Sequence, residues 1–265
     1  MTINNTTLVS DAFSKQASVF DELNEANGIS RYLRKIFRDE VLLHRQNKSR
    51  ILELNCGTGL DALYLASAGH EILATDNAPG MLSKLDEKIS TQGIKNIKTL
   101  RCSFHDVGKL NEGKFDAIIS NFGGLNCTDD LPSVLRQFNS VLNPGGTVTL
   151  MIMPKVCPWE LLMVFKGKFR TAFRRFKHGT PAQVEGVHFN CFYYNPGVIK
   201  KALGPHFKTI SLRGVCITVP PEFYQRFDER YPRVFKLLKR VDNRIGSYFP
   251  FTYCCDHFLI TLKKK

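Results

Sequence analysis

No stretch of about 18 apolar residues occurs anywhere in the 265-residue chain, so it carries no signature of a transmembrane helix. The opening MTINNTTLVSDAFSKQ lacks a basic region followed by an apolar one, so no secretory signal is expected. The eight cysteines form no Cys-x-x-Cys pair, and the adjacent Cys254 and Cys255 cannot easily bridge each other. A reduced, cytoplasmic protein with no zinc or other metal site is the simplest expectation. Internal repeats and low-complexity linkers are also missing, as is any recognisable RNA-binding module. Acidic residues are scarce in one part of the chain only. Residues 1–154 have a net charge of −1, whereas residues 155–265 hold 21 Lys and Arg against 7 Asp and Glu. That basic part suits an anionic substrate, an anionic membrane surface or nucleic acid, or is simply a solvated face.

With 43% hydrophobic and 23% charged residues, the chain can bury a sizeable core as one large domain, or one domain with an insertion. Its organising stretch is Arg50 to Asp76. The apolar run Ile51-Leu52-Glu53-Leu54 reads as a buried strand. A glycine turn, Asn55-Cys56-Gly57-Thr58-Gly59, leads into a helical pattern ending at Gly69, and a second strand ends on Asp76. Such a turn brings bare backbone close to a ligand. Gly57-x-Gly59-x-x-Ala62 also satisfies the permissive dinucleotide fingerprint. Glu53 argues against that reading, because its carboxylate would repel a pyrophosphate and suit a ligand with positive charge.

The segment resembles the E/D-x-x-x-G-x-G signature of class I S-adenosylmethionine-dependent methyltransferases. The resemblance implies that Glu53 lies near the methionine end of S-adenosylmethionine, that the Gly57-Thr58-Gly59 turn lines it, and that Asp76 holds the ribose. Further marks follow in the family's order through residue 153. Asn77-Ala78-Pro79-Gly80-Met81-Leu82 would place Asn77 and Met81 beside the adenosine. Ser103-Phe104-His105-Asp106-Val107 would place Asp106 at the adenine amino group, with His105 and Val107 alongside. Asn121-Phe122-Gly123-Gly124 follows the fourth strand, without the prolines common in enzymes that methylate planar nitrogens of nucleic acids. Leu142-Asn143-Pro144-Gly145-Gly146 shapes a turn before the fifth strand. Phe13 to Asp21 is similar to a leading helix that folds over the cofactor, which would bring Phe20 to it. Gly186 to Pro196 resembles a substrate-facing strand.

The expected fold is one Rossmann-like α/β/α domain: a mostly parallel seven-stranded sheet with an antiparallel last strand. Residues 1–48 form a helical cap, 50–153 the cofactor core, 155–195 a substrate lid, and 196–265 complete the sheet with a helical insertion at 220–246. The spacing predicts one basic amphipathic helix over 159–177, with Phe165, Phe169, Phe173 and Phe176 on one face and Lys166, Arg170, Arg174 and Lys177 on a neighbouring one. Peripheral membrane contact through that helix is one expectation; a lid with its aromatic face inward is the other. The expected reaction is methyl transfer to the O or N of a small or lipid-like acceptor, anionic or carrier-bound, giving S-adenosylhomocysteine. His188, Tyr193 and His105 are the candidate bases, and Tyr194 is a pocket candidate. An RNA methyltransferase and a non-catalytic cofactor-binding membrane-surface protein are the alternatives; no nucleic-acid partner is expected.

Overall fold

Short apolar runs punctuated by glycine and proline become strands in the computed structural model, which describes residues 4–265. They are β1 (Arg50–Leu54), β2 (Glu71–Asp76), β3 (Ile97–Arg101), β4 (Phe115–Ser120), β5 (Leu142–Ile152), β6 (Thr180–Val184), β7 (Val187–Cys191), β8 (Phe207–Val215) and β9 (His257–Lys264). Seven of them form one sheet in the order β3-β2-β1-β4-β5-β9-β8. β1 to β5 pair in parallel, and β9 runs antiparallel to both neighbours. This is the expected sheet. β6 and β7 form a separate antiparallel pair outside it.

The central strands show no polar alternation because helices cover both faces. Ile51, Ala74, Ala117, Ile119 and Met151 pack on one side, and Leu52, Leu54, Ile118, Leu150 and Ile152 on the other. Glu53, two residues after Ile51, therefore points to the first side. That side receives α3 (Gly28–His44), which follows α1 (Asn5–Gln16) and α2 (Phe20–Ala26), and also α4 (Leu60–Ser67). Asn27 caps α3 by accepting from the amides of Ile29 and Ser30. α5 (Pro79–Gln92) follows β2, with proline at its start and Gly93 at φ 64° closing it. The other side is covered by α6 (Leu131–Arg136), α7 (Phe138–Val141) and, beyond the insertion that holds α8 (Pro158–Leu161) and α9 (Phe169–Ala172), α10 (Pro196–Leu203). The second insertion carries α11 (Phe227–Arg230) and α12 (Pro232–Ile245). The chain leaves β1 for β2 and β3 on one side, then crosses to β4 and β5 on the other. That reversal opens a crevice at the carboxyl ends of β1 and β4.

The single helix expected over 159–177 does not form. The first half is α8 and a 3-10 turn, Leu162–Lys166, closed by Gly167 at φ 68°, and the rest is α9 followed by a second 3-10 turn, Arg174–Phe176. A long-range ion network holds this path. Arg174 grips Glu160 with two bonds of 2.7 Å. Arg175, 3% exposed, donates to Glu160 at 2.8 Å, to Asp256 Oδ1 at 2.6 Å and to the Asp256 carbonyl at 2.9 Å. Cys157, Glu160 and Asp256 bring ligand atoms within 4.8 Å of one another, yet both carboxylates are already neutralised by guanidinium groups. Removing Arg175 leaves two buried carboxylates short of a partner. Arg175→Ala should lower stability by about 3–5 kcal/mol, read from urea denaturation; a loss under about 1 kcal/mol, as for an exposed pair, would contradict this account.

Candidate functional site

The crevice holds a cavity of about 460 Å³. Its floor is the carboxyl ends of β1, β2 and β4, with Glu53, Gly57, Asp76 and Asn121 in the lining. Asn55 and Phe122, the residues that turn the chain off β1 and β4, both line it with positive φ, at 47° and 51°. Strain of that kind costs about 1–3 kcal/mol per residue and concentrates at ligand sites. Val9 and Phe13 from α1, Phe20 and Leu23 from α2, and Phe223 supply apolar wall and roof. α1 is fastened by Asn5, whose amide donates to the Cys127 and Asn190 carbonyls at 2.8 and 3.1 Å and whose oxygen accepts from the Asn190 amide at 2.7 Å.

Local chemistry explains each polar position. The Gly57 and Ala78 amides donate to Asp76 at 2.9 and 2.8 Å, fixing the carboxylate at the cavity wall; burial raises its pKa. A Cβ at Gly57 would stand 3.6 Å from the Phe20 ring. Gly59 is needed for packing instead. At φ 81°, its Cβ would fall 2.2 Å from Leu85, so it serves the contact between α4 and α5. Thr58 is buried and bonds Asp21. Neither Thr58 nor Gly59 lines the cavity.

Glu53 is 3% exposed, and its Oε2 has no hydrogen-bond partner among the described residues. Burial above all, then the nearby Asp61, pushes its carboxyl well above the usual range, against the pull of Arg34 and Arg38. Asp61 itself is fully satisfied: Arg34 and Arg38 each bond it at 2.6 Å, and the Asn121 amide at 2.8 Å. Arg34 also stands 4.5 Å over the Phe122 ring. At the other end, Glu222 accepts from the Ser30 hydroxyl, while the Asn27 amide donates to the Glu222 carbonyl at 2.9 Å. Burial raises the Glu222 pKa. The site can thus receive a ligand that brings positive charge to Glu53 and hydroxyls to Asp76, with a second group beside Glu222.

Of the residues singled out from sequence, Glu53, Gly57, Asp76, Asn77, Met81, Asn121, Phe122 and Phe20 share the lining. Gly123 does not; Gly124 stands there instead. His105, Asp106 and Val107 lie outside it, in the 3-10 turn Phe104–Lys109. Asp106 pairs with Lys109 at 2.6 Å, Val107 is in the core, and Cys102 and Phe104 meet the cavity from this segment. The substrate-side candidates also lie outside the lining. His188 is exposed on β7, opposite Gln183. Tyr193 is buried under the Arg175 guanidinium, 5.0 Å away, and its hydroxyl is pushed up to about 12 by burial. Tyr194 donates to the Thr128 carbonyl, and burial likewise pushes it to about 12. The reason is the hairpin's direction: β7 lies against α1, with Phe189 6.0 Å from Phe13. No residue of 155–195 lines the cavity; residues 6–34 and 222–225 make its upper wall instead. Arg34, Asp61, Ser30 and Glu222 were not expected from sequence. Arg34 and Arg38 share a helix face, which is a faint signal, but nothing local ties them to Asp61.

Residues 51–146 match the family described as "Methyltransferase domain". Over 105 residues the chain is 30% identical to tRNA 5-carboxymethoxyuridine methyltransferase of Escherichia coli K12, covering 39% of this chain and 40% of that protein. Over 139 residues it is 27% identical to demethylmenaquinone methyltransferase of Geobacillus kaustophilus, covering 51% and 58%. The chain thus spans about half the length of the curated relatives it matches. Among solved structures it is similar in fold to 1,6-didemethyltoxoflavin-N1-methyltransferase of Burkholderia thailandensis, solved with bound 1,6-didemethyltoxoflavin and S-adenosylhomocysteine. The TM-score is 0.58 at 15% identity, covering 98% of this chain and 88% of that one. An S-adenosylmethionine-dependent methyltransferase from Clostridium acetobutylicum gives a TM-score of 0.60 at 16% identity, covering 94% and 98%.

Glu53 generates a stability prediction of its own. Its folded pKa lies above the unfolded value near 4.5, so above that pH the folded state holds a proton the unfolded chain has released. Stability therefore falls as pH rises from the unfolded pKa towards the folded one. Glutamine does not titrate. Glu53→Gln should melt above wild type by a margin that widens with pH over that window. Thermal melts across pH check this, and a margin that shrinks with pH would refute it.

Proposed function

We propose that this chain, whose residues 51–146 match the methyltransferase domain family, transfers the methyl group of S-adenosylmethionine to a small acceptor, leaving S-adenosylhomocysteine. One observation carries the reading: Glu53, buried at the end of β1 with an unpartnered oxygen, faces a cavity floored by bare glycine backbone. The ammonium and sulfonium of the cofactor would give that carboxylate its missing partner. A nicotinamide dinucleotide would set a pyrophosphate against it. Asp76, held by two amides, offers its remaining lone pairs to the ribose hydroxyls, and Phe20 and Met81 flank the glycine turn on the apolar side.

When bound, the cofactor supplies an electrophilic methyl group on sulfur. The chain's own residues then align the acceptor, exclude water and handle its proton. Glu222 is the candidate for receiving that proton. It lines the cavity, is oriented by Ser30, and has a raised pKa that suits a general base. Among the described residues the lining carries four acids, Glu53, Asp61, Asp76 and Glu222, and one base, Arg34. This balance supports an acceptor with an apolar body and a hydroxyl or N–H, and argues against an anionic group inside the cavity. A tRNA acceptor is the second reading. Its support is the Escherichia coli relative and the basic C-terminal part.

Three measurements test these points. Calorimetric titration should show binding of S-adenosylmethionine and S-adenosylhomocysteine but not of nicotinamide dinucleotides, with Asp76→Ala weakening it by about 1.5–3 kcal/mol; the reverse preference would sink the assignment. Incubation of cell extract with methyl-labelled cofactor should place label in a small-molecule or lipid fraction, and label in RNA would favour the second reading. With the acceptor so identified, Glu222→Gln should lower kcat by roughly 100-fold and remove the acid limb of its pH profile; an unchanged profile would release Glu222 from the role.

A further inference from the structure

Four phenylalanines of the first insertion stand in water. Phe165, Phe169, Phe173 and Phe176 are 87%, 59%, 48% and 52% exposed, and Leu162 beside them is 50% exposed. The chain from Leu161 to Val184 contains no Asp or Glu. Of its basic side chains, Arg174 and Arg175 are engaged with Glu160 and Asp256. Lys166, Lys168, Arg170 and Lys177 are exposed and pair with no carboxylate among the described residues. A second exposed element adjoins the root of this insertion. The turn after α12 carries Tyr248 and Phe249, 67% and 81% exposed. It is joined to the root by a bridge between Val156 and Cys254 and by the Cys255 amide, which donates to the Val156 carbonyl at 3.1 Å. The root is also tied to the cavity wall. Trp159 packs 5.7 Å from Tyr224, and its indole donates to the Ile217 carbonyl at 3.1 Å, while Glu222 and Phe223 of the same loop line the cavity.

Exposed aromatic area on this scale, rimmed by charge of one sign, marks a surface that is covered in use. The charge selects the occupant. A protein partner would need a strongly acidic face with apolar pockets for several separate rings. Nucleic acid would engage the cations but leave Leu162 and most of the ring area wet, since bases stack on rings set in a groove. An anionic lipid surface meets both features: rings enter the boundary between headgroups and acyl chains, and the ammonium and guanidinium groups stay level with the phosphates. We propose that residues 162–177, with the 246–253 turn beside them, dock this chain on an anionic membrane surface, next to the entrance of its cavity. This goes beyond the methyl-transfer reading and does not rest on it.

Co-sedimentation of the whole chain with vesicles tests the proposal, using phosphatidylcholine alone against phosphatidylcholine with phosphatidylglycerol. Binding should require the anionic lipid and weaken as salt is raised. Each exposed basic residue near such a surface adds roughly a five-fold factor. The triple change Lys166→Glu, Lys168→Glu, Arg170→Glu should therefore cut partitioning by more than about 100-fold. Phe165→Ser with Phe169→Ser should cut it at least about 10-fold while leaving the salt dependence intact. These side chains are exposed, and a circular dichroism melt matching wild type shows that the fold is kept. Absence of vesicle binding, equal binding to neutral vesicles, or unchanged binding by both variants would overturn the proposal. So would retention of RNA, or self-association by sedimentation velocity, lost in these variants while vesicles go unbound.

Discussion

The Asp61 carboxylate is bonded by groups from two other parts of the chain. Arg34 and Arg38 reach it from α3, Asn121 reaches it from the end of β4, and Asp61 itself begins α4. The helical cap, the first helix of the core and the switch between β1 and β4 meet at one buried carboxylate, 2% exposed. Such a group is costly to bury unless fully paired. The cap therefore cannot move far from the sheet without leaving a charge stranded. That requirement sets where Arg34 stands over Phe122, and through α3 it sets where Asn27 and Ser30 meet Glu222.

The contrast between Asp61 and Glu53 gives the cavity its chemistry. The two acids lie close enough to raise the Glu53 pKa, yet one is saturated with donors and the other keeps an oxygen without a partner. The arginines that settle Asp61 do not bond Glu53. A ligand with positive charge completes the floor, while Asp76, held by the backbone of Gly57 and Ala78, adds a fixed acceptor at the side. Stability and recognition pull against each other at this position.

How much of this was legible in the sequence followed the range of the interactions. The core from Arg50 to Met153 is punctuated locally: Gly57, Gly59, Pro79 and Gly93 mark element ends whatever the rest of the chain does, whereas Pro144-Gly145-Gly146, expected as a turn before the fifth strand, lies inside β5 at an irregularity in its pairing with β4. The parallel strands of the core are legible in those marks; the antiparallel last strand, His257–Lys264, was expected only from the family resemblance. The 159–177 segment misled because its phenylalanines and basic residues have helical spacing, while its path is decided by Arg174 and Arg175 reaching Glu160 and Asp256. His188 and Tyr193 looked substrate-facing because the Gly186 to Pro196 pattern resembles a pocket strand; pairing with β6 and packing on α1 turned the hairpin aside. Glu222 carries no motif and gains meaning only from Asn27 and Ser30, 195 and 192 residues away.

The wall of the cavity is made from chain segments that share no continuous backbone: residues 53–127 below, and residues 6–34 with 222–225 above. The lower segment is bound by rules that admit few substitutions, since its glycines have no room for a Cβ or hold left-handed backbone. The upper segments are mostly side chains of helices and one loop, free to change size and polarity as long as Arg34, Arg38 and the Asn27 bond persist. The chain can thus acquire a new acceptor preference without rebuilding its donor floor, and a lineage of such proteins would diverge fastest in its first 34 residues and around residue 223.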